Sequence, residues 1–266
     1  MRPFARIGHE LRLLRVALQY FTRLPVPAFA QFDPAWLSQS VRYFPVVGAI
    51  VGLIGAGVLV ACAQFLPMPI AALLALAATL LVTGAFHEDG LADTFDALGG
   101  HVSRTRALEI MRDSRIGTYG AAALAIALLL RWQSLAALSL PLAAAALVCA
   151  HAAARAAAAS LMATLPYVRL EDDAKAKPVA QDLRIGHLLV TLCAGLLPIG
   201  LCLAFFPEMA LPLIAGVCAV AVARMVCARW FRRRIGGYTG DALGCCEQIG
   251  EIAFLLAVVA VTGATA

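Results

Sequence analysis

PVVGAIVGLIGAGVLVACAQFL, residues Pro45–Leu66, contains no charged side chain. A bilayer hydrocarbon core about 30 Å thick is crossed by roughly 20 such residues as a helix. In hydrocarbon the backbone must satisfy its own hydrogen bonds, so an uncharged run of this length predicts an α-helix through the membrane. Pro69–Phe86 and Leu188–Phe206 are likewise uncharged, and Thr118–Leu138, Leu140–Leu161, Ala210–Ala228 and Ile249–Ala264 read as spans with one charged residue each. The predicted architecture is all-α: one membrane-embedded domain over residues 1–266, a polytopic bundle of about seven transmembrane helices. Arg131-Trp132-Gln133-Ser134 is either the end of one span or the turn between two. Gly48 and Gly52 form a G-x-x-x-G pair that predicts close helix packing.

Composition agrees. Of 266 residues, 62% are hydrophobic and 14% charged, against about 25% charged in soluble domains. That excludes an ordinary soluble globule, and the high hydrophobicity excludes disorder. The 8 cysteines form no C-x-x-C pair, and most lie in apolar runs, where a thiol packs as a small hydrophobe. No cleavable signal peptide is evident. Leu11, Leu14, Leu18 and Phe21 recur at helical spacing beside Arg12 and Arg15. This predicts an amphipathic N-terminal helix, lying on the lipid surface or docked on the bundle.

The scarce charge is one-sided. An odd number of spans leaves the N-terminal arm and the loops near 87–117, 162–187 and 229–248 on one face, and these hold nearly all loop Lys and Arg. The positive-inside rule makes that face cytoplasmic. Glu208 is the only acid expected on the far face. The hydrophilic stretch Arg169–Arg184 reads as a solvated loop.

Three segments on the charged face carry chemistry. In His87-Glu88-Asp89-Gly90-Leu91-Ala92-Asp93-Thr94-Phe95-Asp96, four acids occur with no Lys or Arg among them. As a helix this places Asp89, Asp93 and Asp96 at i, i+4 and i+7, where like charges repel. A hard divalent cation such as Mg²⁺ removes the conflict and also binds phosphates. In Arg112-Asp113-Ser114-Arg115-Ile116-Gly117, Arg112 and Arg115 suit phosphate oxygens, and Asp113 is a further metal or catalytic carboxylate. A basic segment bound to anionic lipid is the plainer reading. Gly236-Gly237-Tyr238-Thr239-Gly240-Asp241-Ala242-Leu243-Gly244 allows backbone amides to face an anion, without the ending of a P-loop. Arg232-Arg233-Arg234 before it reads as a topology signal. His151, Arg155, Arg224, Glu247 and Glu251 fall in or beside spans, where ionisable groups are costly; partnership among them, such as Arg224 with Glu251, is the structural reading. The physical argument reaches Mg²⁺-assisted transfer of a phosphorylated group at a membrane surface.

The segments FHEDGLADT (86–94), MRDSRIGTYG (111–120) and GYTGDALG (237–244), with FTRLP (21–25) and YFPVVG (43–48), resemble in order the cobalamin synthase family, the adenosylcobinamide-GDP ribazoletransferases. Residues 131–186 carry no segment that contributes. The resemblance implies that α-ribazole, or its 5′-phosphate, is joined to adenosylcobinamide-GDP with release of GMP, in a multi-pass protein of the bacterial inner membrane whose site faces the cytoplasm. Mg²⁺ is the implied cofactor, with Glu88, Asp89, Asp93 and Asp96 as its ligands. Catalytic roles are expected of Asp89, Asp93, Asp113, Arg112, Arg115 and His87. Substrate-binding roles are expected of Ser114, Gly117, Thr239, Gly240, Asp241 and Arg23. The expected surroundings are lipid, with no nucleic acid; a homo-oligomer stays open. Membrane prenyltransferases and CDP-alcohol phosphotransferases also combine aspartate-rich helices with Mg²⁺, but no paired N/D-D-x-x-D or D-G-x-x-A-R pattern occurs. A transporter would run its charges along a path through the bilayer, whereas these acids cluster at one interface.

Overall fold

The computed structural model describes residues 3–168 and 185–264; the stretch Arg169–Arg184 lies outside them. In chain order the helices are α1 (Pro3–Phe21), α2 (Pro34–Ser40), α3 (Phe44–Cys62), α4 (Met68–Thr83), α5 (Phe86–Leu98), α6 (Arg104–Ile110), α7 (Thr118–Ala136), α8 (Leu140–Leu161), α9 (Ile185–Phe205), α10 (Ala210–Arg234) and α11 (Gly240–Ala264). Six of the apolar segments are long enough to cross a membrane, and a seventh appears if the bent pair α4–α5 is taken as one span. This is a multi-pass helical protein. Arg131-Trp132-Gln133-Ser134 lies inside α7, so the turn reading is replaced: the helix continues to Ala136, and the Trp132 indole donates to the Pro69 carbonyl at 2.7 Å.

α4 has only 16 residues, about 24 Å at the helical rise of 1.5 Å, short of a full hydrocarbon core. It stops at Thr83 rather than Phe86 because Gly84 (φ 67°) and Ala85 (φ 58°) are left-handed. α5 leaves at 89° to α4. It runs across the direction of α4 and packs against α7 and α11. Ala85 is the only non-glycine residue with positive φ among the described residues. An L side chain there costs about 1–2 kcal/mol, at the entrance to the acidic helix.

α8 is the central helix, with 78% of its apolar window buried, against 17% for α9, whose side chains face outward. Its alanines present almost bare backbone to their neighbours. A Cβ on Gly48 would lie 2.3 Å from the His151 carbonyl oxygen, and one on Gly52 would lie 2.7 Å from the Val148 Cα. The G-x-x-x-G pair thus seats α3 on α8 by backbone contact, as small residues do where lipid removes the usual drive for apolar burial. α1 is docked on the bundle through buried Leu13, Val16, Ala17 and Phe21, with Ile7 and Leu11 exposed. All 8 cysteines are unpaired in disulfides.

The charged-face loops are tied by arginines acting as helix caps. Arg234 donates to the carbonyls of Leu98 (2.7 Å) and Gly100 (2.6 Å), closing the end of α5. Arg104 donates to the Ile235 carbonyl at 2.7 Å, closing α10. Cations at helix C-termini satisfy last-turn carbonyls and suit the dipole. Arg234 of the expected topology signal is thereby also a structural clamp. Tyr238 and Pro166–Val168 exchange backbone hydrogen bonds of 2.9 Å, drawing the 162–168 and 235–240 loops together.

Candidate active site

Two pockets at the charged end of the bundle lie on either side of α5. The first is a cleft of about 800 Å³ lined by Gly84, Glu88, Asp89, Asp93, Ser114 and Ile116, among others. Asp89 is exposed and Asp93 half-buried. α11 brings Asp241 to the same carboxylates through the closest approach of two helices. A Cβ on Gly90 would lie 2.9 Å from the Asp241 carbonyl oxygen, and one on Gly244 3.3 Å from the His87 Cα. Burial first, then the carboxylates of Asp89, Asp241 and Asp96, push Asp93 up to about 7. Like charges held in one place resist joint ionisation. Among the described residues, no Lys or Arg forms an ion pair with Asp89, Asp93 or Asp241.

The other acids expected as ligands are placed differently. Asp96 accepts hydrogen bonds from the backbone amides of Gly117 (2.7 Å) and Gly120 (2.8 Å). It caps α7 from another helix and fixes the 112–117 loop over α5, so both its oxygens are engaged. Gly117 serves this contact, since its amide faces a carboxylate rather than a substrate anion. Glu88 is buried; its Oε1 accepts from Arg131 at 3.0 Å, while its Oε2 has no hydrogen-bond partner. A buried carboxylate oxygen without a donor is costly, and this one belongs to a side chain lining the acidic cleft.

Arg115 forms a bidentate pair with Asp113, with Nη2–Oδ2 2.5 Å. Hydrogen bonds from Arg115 hold the Asp113 carboxyl down to about 2. Both ride on the loop that also carries Ser114 and exposed Arg112. The exposed Arg23 packs across Gly84 at the bend, where a Cβ would lie 2.4 Å from its Nε. Thr239 caps α11, its Oγ1 accepting from Ala242 N at 3.1 Å. Gly237 is filled against Pro166 and Gly244 against α5. The expected amide cradle is therefore mostly a packing device, and Gly240 alone of these three has open space at its Cβ position.

His87 is buried beside the second pocket, about 680 Å³, which is lined by Tyr20, Phe21, Phe44, Phe86, Tyr167 and Tyr238. Its ring stacks on Phe21 with centroids 5.5 Å apart and planes at 12°. Burial first, then the Arg155 guanidinium, hold it well below the usual imidazole range, so it is neutral. Individual aromatics gave no sequence signal, yet Phe21, Phe44, Phe86 and Tyr238 each fall within one of the segments that carried the resemblance.

Behind both pockets lies a buried charge network. Arg131 pairs with Glu88 (3.0 Å) and Glu251 (2.7 Å) and donates to Gln248 (2.9 Å). Arg155 pairs with Glu247 (2.7 Å) and Glu251 (3.3 Å), and His151 contacts Glu251. The expected Arg224–Glu251 pair is not formed. Arg224 instead donates to Ser160 Oγ (3.0 Å) and Thr164 Oγ1 (2.5 Å) on α8 and the turn after it. α10 turns residue 224 toward that end of α8, whereas Glu251 faces the α7–α8 side.

A profile of the cobalamin-5-phosphate synthase family matches residues 13–259. A protein of Leptothrix cholodnii named adenosylcobinamide-GDP ribazoletransferase is 44% identical over 261 residues, covering 95% of this chain and 96% of its own. A protein of the same name from Shewanella frigidimarina is 44% identical over 95% of each chain. Another, from Shewanella amazonensis, is 45% identical over 93% of this chain and 94% of its own. No solved structure matches the chain. The chain belongs to the cobalamin-5-phosphate synthase family.

Proposed function

We propose that this protein joins α-ribazole, or its 5′-phosphate, to adenosylcobinamide-GDP, releasing GMP and forming adenosylcobalamin or its 5′-phosphate. The relatives bear the name of this activity over nearly their whole length. The observation that carries the site assignment is the carboxylate cluster of Asp89, Asp93 and Asp241, which no basic side chain among the described residues pairs with, beside a Glu88 Oε2 without a hydrogen-bond partner. Asp89, Asp93 and Asp241 suit a hard cation, which takes oxygen ligands. Those carboxylates would hold Mg²⁺, which would supply charge neutralisation at the pyrophosphate and at the departing GMP.

The chain's own residues position the rest. Arg23, at the α4–α5 bend, and Arg112, on the Asp96-anchored loop, flank the cleft with guanidinium donors for phosphate oxygens. Ser114 lines the cleft as a further hydroxyl. A free ribose hydroxyl of the ribazole, not the 5′ position that the alternative acceptor and product keep phosphorylated, attacks the cobinamide-bound phosphorus. That P–O bond forms, the bond to GMP breaks, and the hydroxyl proton passes to a cleft carboxylate. With so little covalent work for the protein, catalysis rests on positioning and charge. In this reading the charged face is cytoplasmic and the membrane the bacterial inner one; the arginine distribution supports that orientation under the positive-inside rule.

The test is GMP release by the purified chain in lipid. Asp89→Asn and Asp93→Asn should each lower kcat/KM at least about a hundredfold, about 2.7 kcal/mol of transition-state stabilisation. Near-normal turnover in both would overturn the assignment.

A further inference from the structure

The aromatic pocket beside the acidic cleft has no part in neutralising phosphate, yet it is placed for the same reaction. Phe86 lines both pockets. Gly240 and Gly244, on either side of Asp241 on α11, line the aromatic one. A molecule seated there can reach the carboxylates past a single side chain.

The lining specifies what fits. Aromatic rings from α1, α3, α5 and the two joined loops make walls for a flat, apolar ring system. Three polar side chains enter besides the hydroxyls of Tyr20, Tyr167 and Tyr238. Arg155 and Glu247 are paired with each other at 2.7 Å. His87 is only 4% exposed, and its Nδ1 has no hydrogen-bond partner. Arg155 Nε and Glu247 Oε1 also lack hydrogen-bond partners, but both belong to that ion pair, whereas His87 Nδ1 has no charged partner. Buried polar atoms without partners are rare and mark a missing ligand. The guanine of the nucleotide substrate carries a carbonyl, an amino group and a ring N–H on its edges, more polar groups than a mainly aromatic and aliphatic wall matches. The corrin macrocycle is rimmed by amides. The dimethylbenzimidazole base of α-ribazole is flat and apolar-edged, with one ring nitrogen not used in the glycosidic bond.

We propose that this pocket binds the benzimidazole base of the incoming nucleoside, with the His87 imidazole bonded to the free ring nitrogen, so that the attached ribose leads past Phe86 to the acidic cleft. His87 is then a residue that selects and orients the acceptor. This rests on the proposed ribazole transfer.

The test separates the two substrates. With the purified chain in lipid, Ala158→Leu adds bulk to the α8 wall of the pocket. It should raise KM for α-ribazole tenfold or more and leave KM for adenosylcobinamide-GDP within about twofold. In the unmodified protein, free 5,6-dimethylbenzimidazole should compete with α-ribazole and not with adenosylcobinamide-GDP, and guanosine should not compete with α-ribazole. This second measurement decides the matter should Ala158→Leu fail to fold. A KM change confined to adenosylcobinamide-GDP, an unchanged KM for α-ribazole in a folded variant, or competition by the free base against adenosylcobinamide-GDP alone would each overturn the pocket assignment. Absence of GMP release by the unmodified protein from the two substrates with Mg²⁺ would instead overturn the ribazole transfer itself.

Discussion

Glu88 and Asp89 are neighbours on α5 and face different surroundings. Glu88 turns into the bundle, where Arg131 and Arg155 thread between Glu88, Glu247 and Glu251. Asp89 turns outward with Asp93 and Asp241, and no basic side chain among the described residues pairs with them. In the buried group every acid meets a guanidinium within 3.3 Å, and the charges hold α5, α7, α8 and α11 in one register. In the exposed group the acids are held together against their own repulsion. Paired charge explains itself as structure. Unpaired charge of one sign, maintained by backbone contact at Gly90 and Gly244, calls for something from outside the chain.

Stability measurements can break this contrast. The largest effect should come from Arg131→Met, which removes the cation from Glu88 and Glu251 in a buried setting. Breaking one side of such a group costs about 3–5 kcal/mol, read as a lower unfolding midpoint in detergent or lipid. An unchanged midpoint would mean the network is not a structural element. Gly90→Ala should come next. A Cβ there meets backbone of α11 at 2.9 Å, and overpacking of this kind costs about 1–3 kcal/mol. Its activity should fall further than its stability, because Asp241 is displaced from Asp89 and Asp93. The smallest stability effect should be of opposite sign. Asp93→Asn relieves like-charge repulsion and should raise the midpoint slightly, by about 0.2–0.5 kcal/mol, in the same variant that loses GMP release. A destabilised Asp93→Asn would place Asp93 with the structural acids instead.

The sequence exposed the acidic helix because its four acids are local and lie beside a span. It also carried the family resemblance in segments that can be read one at a time. Partners were harder to read. Asp96, equivalent to Asp89 by helical spacing, is taken by the amides of Gly117 and Gly120. Glu251, suspected through Arg224, is bonded from two other helices. The aromatic pocket left no local mark, since its rings come from separate stretches of chain.

What the sequence determined by itself is a multi-pass helical protein whose scarce charge gathers on one face. Transfer of apolar residues into lipid is summed along one helix at a time, and needs no knowledge of neighbours. Only the tertiary structure decided which carboxylates share a cleft, which are neutralised by arginine, and where an apolar ring can sit. Those outcomes depend on two left-handed residues that turn α5 through 89° and on glycines that let α5 touch α11. Electrostatic partnership falls off over a few ångströms, so it is fixed by how helices cross rather than by what each one contains.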